Sequence, residues 1–138
     1  EPLKTALPEI ADVRDFKPLT SGSVGEFDVR ILLEQYGSAE LAGKLAPGWR
    51  GGAFDLLEHK KDATLVLRWA VDWDSEANAT AFLEHYGKVL AGKDARWKAA
   101  VTTKTAISGA GAEGGVEIAR SGTRVQGIEG IRPRRNVQ

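Results

Sequence analysis

The sequence has 138 residues, 42% of them hydrophobic and 28% charged, which fits one soluble domain and excludes a disordered acidic chain. Its longest apolar run, 64–71, is interrupted by Arg68, so nothing approaches a membrane-spanning helix. Nineteen basic residues cancel nineteen acidic ones and cysteine is absent. That removes the electrostatic case for nucleic acid or an anionic membrane, and with it any disulfide framework, thiol nucleophile or cysteine-ligated zinc.

Residues 1–20 contain Pro2, Pro8 and Pro18 and show no period, which predicts an extended lead-in or linker. Ser23-Val24-Gly25-Glu26 has the spacing of a capping box. A helix is expected to follow, with Phe27, Ile31, Leu32 and Tyr36 on its apolar face and Gly37 as its stop. Ser38 caps a second, short helix that buries Leu41, Ala42 and Leu45 before Pro47-Gly48. Beyond the Arg50-Gly51-Gly52 turn, Phe54 and Leu56 suggest a strand that reverses at Lys60-Lys61-Asp62.

Leu65, Leu67, Trp69, Val71 and Trp73 then alternate with Val66, Arg68, Ala70 and Asp72, the period of a central strand with one wholly apolar face. Asp74 or Ser75 caps a helix carrying Ala79, Phe82, Tyr86, Val89 and Leu90 on one side and ending near Gly92. That stripe is the natural cover for the strand. Residues 95–108 predict one further strand, 109–115 a flexible Gly/Ala-rich loop, and 116–119 with 124–128 a hairpin about Ser121-Gly122. The tail, 132–138, holds three arginines and is expected to fray. Residues 21–131 thus predict a single α+β domain, an antiparallel sheet of four to five strands with helices packed on one face.

The sequence contains little recognisable chemistry. There is no G-x-S-x-G elbow, and the 109–115 stretch lacks the Lys-Ser/Thr of a phosphate loop. Of the two histidines, His59 reads as a hairpin residue and His85 as part of a solvated helix surface. Asp72, Asp74 and Glu76 cluster at the strand-to-helix junction, with Asp55 and Glu58 on the neighbouring strand. Such a group suits a hard cation such as calcium, or simply the positive end of a helix dipole. Trp69 and Trp73 belong to the core face, while Trp49, between Pro47-Gly48 and Arg50-Gly51, is placed to stack on a sugar, peptide or proline.

Gly25-Glu26-Phe27, Gly48-Trp49-Arg50-Gly51-Gly52-Ala53-Phe54, the stretch from Arg68 to Phe82 with its Trp73-Asp74-Ser75-Glu76-Ala77 run, and Ile128-Glu129-Gly130 together resemble a family of domains. It is the C-terminal domain of uncharacterised, mostly exported bacterial proteins and of related haloarchaeal surface proteins. The resemblance spans about residues 20–131. It implies an export context and an N-terminal region similar to zinc metallopeptidases, which would carry an HExxH helix. The Pro-rich start and the absence of methionine suit a domain from a longer protein of that kind. Ala53 stands where the family has an Asp-Arg pair, which weakens those polar positions as a site.

The expectation is therefore a non-catalytic accessory domain, secreted or at the cell envelope, needing no cofactor or metal. It would bind a protein partner or peptide, or pack on a catalytic domain, through Trp49, Arg50, Phe54, Asp72, Asp74 and Glu76. The alternative is a small metal-assisted or carboxylate-based hydrolase that uses the Asp72–Glu76 cluster with a histidine. A last feature is the distribution of charge. Residues 1–92 hold 10 Lys or Arg against 15 Asp or Glu, a net −5, and residues 93–138 hold 9 against 4, a net +5.

Overall fold

Alternation of apolar and polar residues places a two-faced strand at Leu65–Trp73, and the computed structural model, which describes residues 4–131, has its β3 over that range. The basic tail at 132–138 lies outside the described residues. Around β3 are β1 (Phe16–Ser23), β2 (Trp49–His59), β4 (Lys98–Thr102), β5 (Ala106–Gly111), β6 (Gly114–Ser121) and β7 (Arg124–Ile131). They form one antiparallel sheet in the order β1-β2-β3-β7-β6-β5-β4. This corrects the expected α+β sheet of four to five strands: among the described residues there are seven, and strand dominates over three α-helices.

Of the two additional strands, one comes from the segment read as lead-in, and the other from 95–108, expected as one strand, which turns back on itself as β4 and β5. Residues 16–20, read as the end of a linker, begin β1, whose register on β2 slips between Pro18 and Thr20. An edge strand tolerates proline there because one side of its backbone needs no ladder partner. The supposed loop at 109–115 is the β5–β6 hairpin, with Gly111 paired to Gly114. Glycine and alanine lower β-propensity but leave the amide and carbonyl groups that make the ladder. The final hairpin closes on Ser121 opposite Arg124, so its two-residue loop is Gly122-Thr123, one position later than expected. Gly122 has φ +61°, which the turn requires.

Helix α1 (Glu26–Tyr36) starts after Gly25, whose amide donates to Asp28 Oδ2 at 2.8 Å; Ser23 is the last residue of β1. Its buried residues are Val29 and Leu33, four apart, while Phe27 and Ile31 are exposed. Helix α2 (Ala39–Leu45) has the expected cap, the Leu41 amide donating to Ser38 Oγ at 3.0 Å. Helix α3 (Glu76–Lys93) is capped by Ser75, which accepts from the Asn78 amide at 3.1 Å.

The main core lies between α3 and the sheet face bearing Trp69, Val71 and Trp73. Phe82 meets Trp69 edge-on at 6.2 Å and tilts against Trp73 at 5.0 Å, and Tyr86 lies 4.8 Å from Trp69. Val116, Ile118, Ile107 and Val125 extend the core along the C-terminal strands, and α1 and α2 add Val29, Leu33, Ala42 and Leu45. Beside Trp69 sits Gly127, where an added Cβ would lie 2.5 Å from the indole Cε2. Only a residue without a side chain lets the indole lie flat over β7.

The opposite sheet face is held by ion pairs across neighbouring strands. Arg68 forks onto its register partner Asp55 at 2.9 and 2.6 Å. Asp72 accepts from its register partner Arg124 at 2.8 and 3.2 Å. Residues read as lead-in cross this face: Pro8 O accepts from Arg68 at 3.0 Å and Thr5 Oγ1 donates to Asp72 at 2.6 Å.

Candidate functional site

The carboxylates expected to act together do not share a site. Strand alternation turns Asp72 to the sheet face opposite α3, where it is 3% exposed and engaged by Arg124 and Thr5. Asp74 accepts from Asn78 Nδ2 at 2.6 Å and lies 3.8 Å from Arg50. Glu76 reaches Arg120 at 3.6 Å, Asp55 belongs to Arg68, and Glu58 pairs with Lys17 at 3.3 Å. Among the described residues no group of three or more histidine and carboxylate side chains is placed to hold a metal ion.

The expected contact patch is likewise occupied by its own fold. Trp49 is half-buried against the core, and its indole Nε1 donates to Val24 O at 2.9 Å. Phe54 is partly buried and packs over Gly22. Arg50 is exposed, bonded to Pro47 O and Trp49 O. Of the six residues, only Arg50 and Asp74 come together. His59 closes the β2–β3 hairpin, accepting from the Lys61 amide at 3.2 Å and stacked edge-on with Phe16. His85 is not on a solvated surface as expected: it is 7% exposed, its Nε2 has no hydrogen-bond partner among the described residues, and burial with the Lys88 charge lowers its pKa.

A different constellation lies where the C-terminal end of α3 passes over β7. Val125, Gly127 and Glu129 face α3 by strand alternation, so a carboxylate falls on the apolar side of the sheet. Glu129 is 9% exposed and receives three donors: Trp69 Nε1 at 2.7 Å, Tyr86 Oη, and Lys93 Nζ at 2.8 Å. Lys93 also lies over the Tyr86 ring, 5.7 Å from its centroid. Burial, then the Glu129 charge and its hydrogen bond, raise the Tyr86 pKa well above that of a free phenol. Tyr86 therefore stays a donor at neutral pH, as its hydrogen bond to the carboxylate requires.

This carboxylate stands at the wall of a cavity of about 470 Å³. Leu56, Leu65, Leu67, Leu90, Val116 and Trp97 supply its apolar surface, and Lys93, Asp94 and Glu113 its charged rim. The rim is built by the β5–β6 turn, tied to α3's end through Asp94 Oδ2, which accepts from the Ala112 amide at 2.8 Å. Concave, mainly apolar walls with a few placed polar groups are what small ligands and peptide segments use. The site was missed because Glu129 is the only acid in β7. The one available signal was its placement two and four residues from Gly127 and Val125, in phase with the core.

Against known families, residues 14–136 match the model described as Domain of unknown function (DUF8575). No curated protein and no solved structure matches the chain.

Proposed function

We propose, for a chain that belongs to the family of this domain of unknown function, that it is a non-catalytic binding module whose site is the cavity over Glu129. The observation that carries this reading is the pairing of an apolar cavity of about 470 Å³ with a fully satisfied buried carboxylate. A carboxylate held by three donors has its geometry fixed and little freedom to move protons, so it shapes a binding surface in preference to acting as a general base. The occupant proposed is a peptide segment of a partner protein. The motif resemblance at 48–54, 68–82 and 128–130 supports placing the module as an accessory domain in an exported, peptidase-associated protein. Nothing in the geometry favours the hydrolase alternative, since Asp72, Asp74 and Glu76 each hold a different cation.

An array of random hexapeptides tests the reading. The folded chain should retain a subset of the peptides, and Trp97→Ala or Leu65→Ser should abolish retention. Leu65 is 47% exposed, and an exposed substitution costs about 0.5 kcal/mol or less, so that variant keeps the fold. Retention unaffected by both substitutions, or hydrolysis of the peptides by the chain, would refute it.

A further inference from the structure

The charges around the cavity specify which peptide it takes, an inference that rests on the reading of the cavity as a peptide site. Among the described residues, Asp94, Glu113 and Glu129 line it with Lys93 as the single cation. An adjoining hollow of about 640 Å³ shares Leu65 and the 111–114 turn with it and adds Asp62 to its walls. The two form one open trough from Trp97 to the β2–β3 hairpin. Lys93 is already engaged by Glu129 at 2.8 Å, and among the described lining residues carboxylates outnumber cations three to one.

Asp94 accepts from the Ala112 and Arg96 amides at 2.8 and 2.9 Å. Those bonds, helped by the charges of Arg96 and Lys93, lower its pKa and keep it ionised at neutral pH. Glu113 follows Ala112 in the turn and has no ion-pair partner among the described residues. Two carboxylates thus stand together on the rim of a cavity lined by leucines and Trp97. This combination is complementary to a long basic side chain, whose aliphatic stem covers apolar surface while its head stays with the charges.

We infer that the trough binds an extended peptide through a lysine or arginine set between apolar residues. The cation lies against Asp94 and Glu113, its stem against Trp97 and Leu65, and its neighbours against Leu67 and Leu90. Two adjoining hollows with shared walls suit an extended peptide in preference to a small free amine.

The test uses the full chain on four hexapeptide sets that differ only in a fixed central Lys, Arg, Gln or Glu. Lys and Arg sets should be retained about tenfold more strongly than the Glu set at low ionic strength, and the ratio should shrink as salt is added. In the Asp94→Asn/Glu113→Gln variant, folding checked by circular dichroism, Lys and Arg retention should fall to the Gln level. Glu113→Gln alone, at an exposed turn, should give part of that loss without disturbing the fold. Equal retention of all four sets, or preference for Glu, overturns the inference while leaving the peptide site standing. An undiminished Lys and Arg preference in the double variant overturns the location, and no retention in any set overturns the peptide site as well.

Discussion

Replacing Glu129 by Gln removes one charge and almost no volume, yet it breaks the pattern of bonds beneath the cavity. The carboxylate accepts from Trp69 and Tyr86 through Oε2 and from Lys93 through Oε1. An amide has one acceptor oxygen, and its nitrogen turns two hydrogens toward groups that are themselves donors. With its oxygen in the Oε2 position the amide keeps both buried donors, but Lys93 loses its charged partner and the two bonds fall from charge-assisted to neutral strength, at about 1–3 kcal/mol in all. Tyr86→Phe alone loses a bond to a charged acceptor, about 1.5–3 kcal/mol. In the Gln background, however, the same change removes only a neutral bond, about 0.5–1.5 kcal/mol, so the double variant should lose about 1 kcal/mol less than the sum of the singles. Urea unfolding followed by tryptophan fluorescence measures all four proteins. Losses that add to within about 0.5 kcal/mol would show that the groups do not form one unit.

Two further outcomes are expected. Gly127→Ala places a methyl 2.5 Å from the Trp69 ring, and the overpacking should cost about 1–3 kcal/mol with a changed near-ultraviolet tryptophan signal; unaltered stability would mean that the indole moves aside freely. His85 has a lowered pKa in the fold, from burial first and Lys88 second, so the unfolded chain binds its proton more readily. The stabilising preference for neutral His85 is fully present above its unfolded pKa of about 6.5 and declines as pH falls from there through the folded pKa, by at most about 1.4 kcal/mol per unit. The stability advantage of the parent protein over His85→Leu should therefore narrow between pH 7.5 and pH 5 in thermal melts. A gap that stays constant or widens contradicts the buried neutral ring.

Where side chains carried the period, the fold was legible. Leu65 to Trp73 alternate without exception in the face that matters, and Ser38 and Ser75 sit where their hydroxyls meet amides three residues on. Where the backbone carried it, the sequence was silent. Gly109 to Gly115 pair strand to strand with few side chains to announce them, and Pro18 disguised an edge. On α1 the apolar residues run all round, so periodicity chose Phe27 and Ile31 for the core although Val29 and Leu33 fill it. The carboxylates from Asp72 to Glu76 looked like a cluster because they are close in sequence, but a strand followed by a cap and a helix turns successive acids in different directions. Glu129 and Lys93 are 36 residues apart, and only the topology makes them neighbours.

The strand order has a consequence for how the chain comes together. β2 and β3 form a hairpin, β1 joins β2 through α1 and α2, and β4 to β7 are hairpin-linked neighbours; within the sheet the two parts join along β3 and β7, a seam where Asp72 meets Arg124 across 52 positions. Closing so long a loop is entropically costly, though each doubling of its length adds only about 0.6 kcal/mol. Eighteen of the intervening residues are stored in α3, a strut about 27 Å long at 1.5 Å per residue. The first 92 residues are net negative and the remainder net positive, and the ion pair at this seam, Asp72 with Arg124, has the same sense. In assembly terms the sheet consists of two segments tethered by a helix and completed along one shared seam.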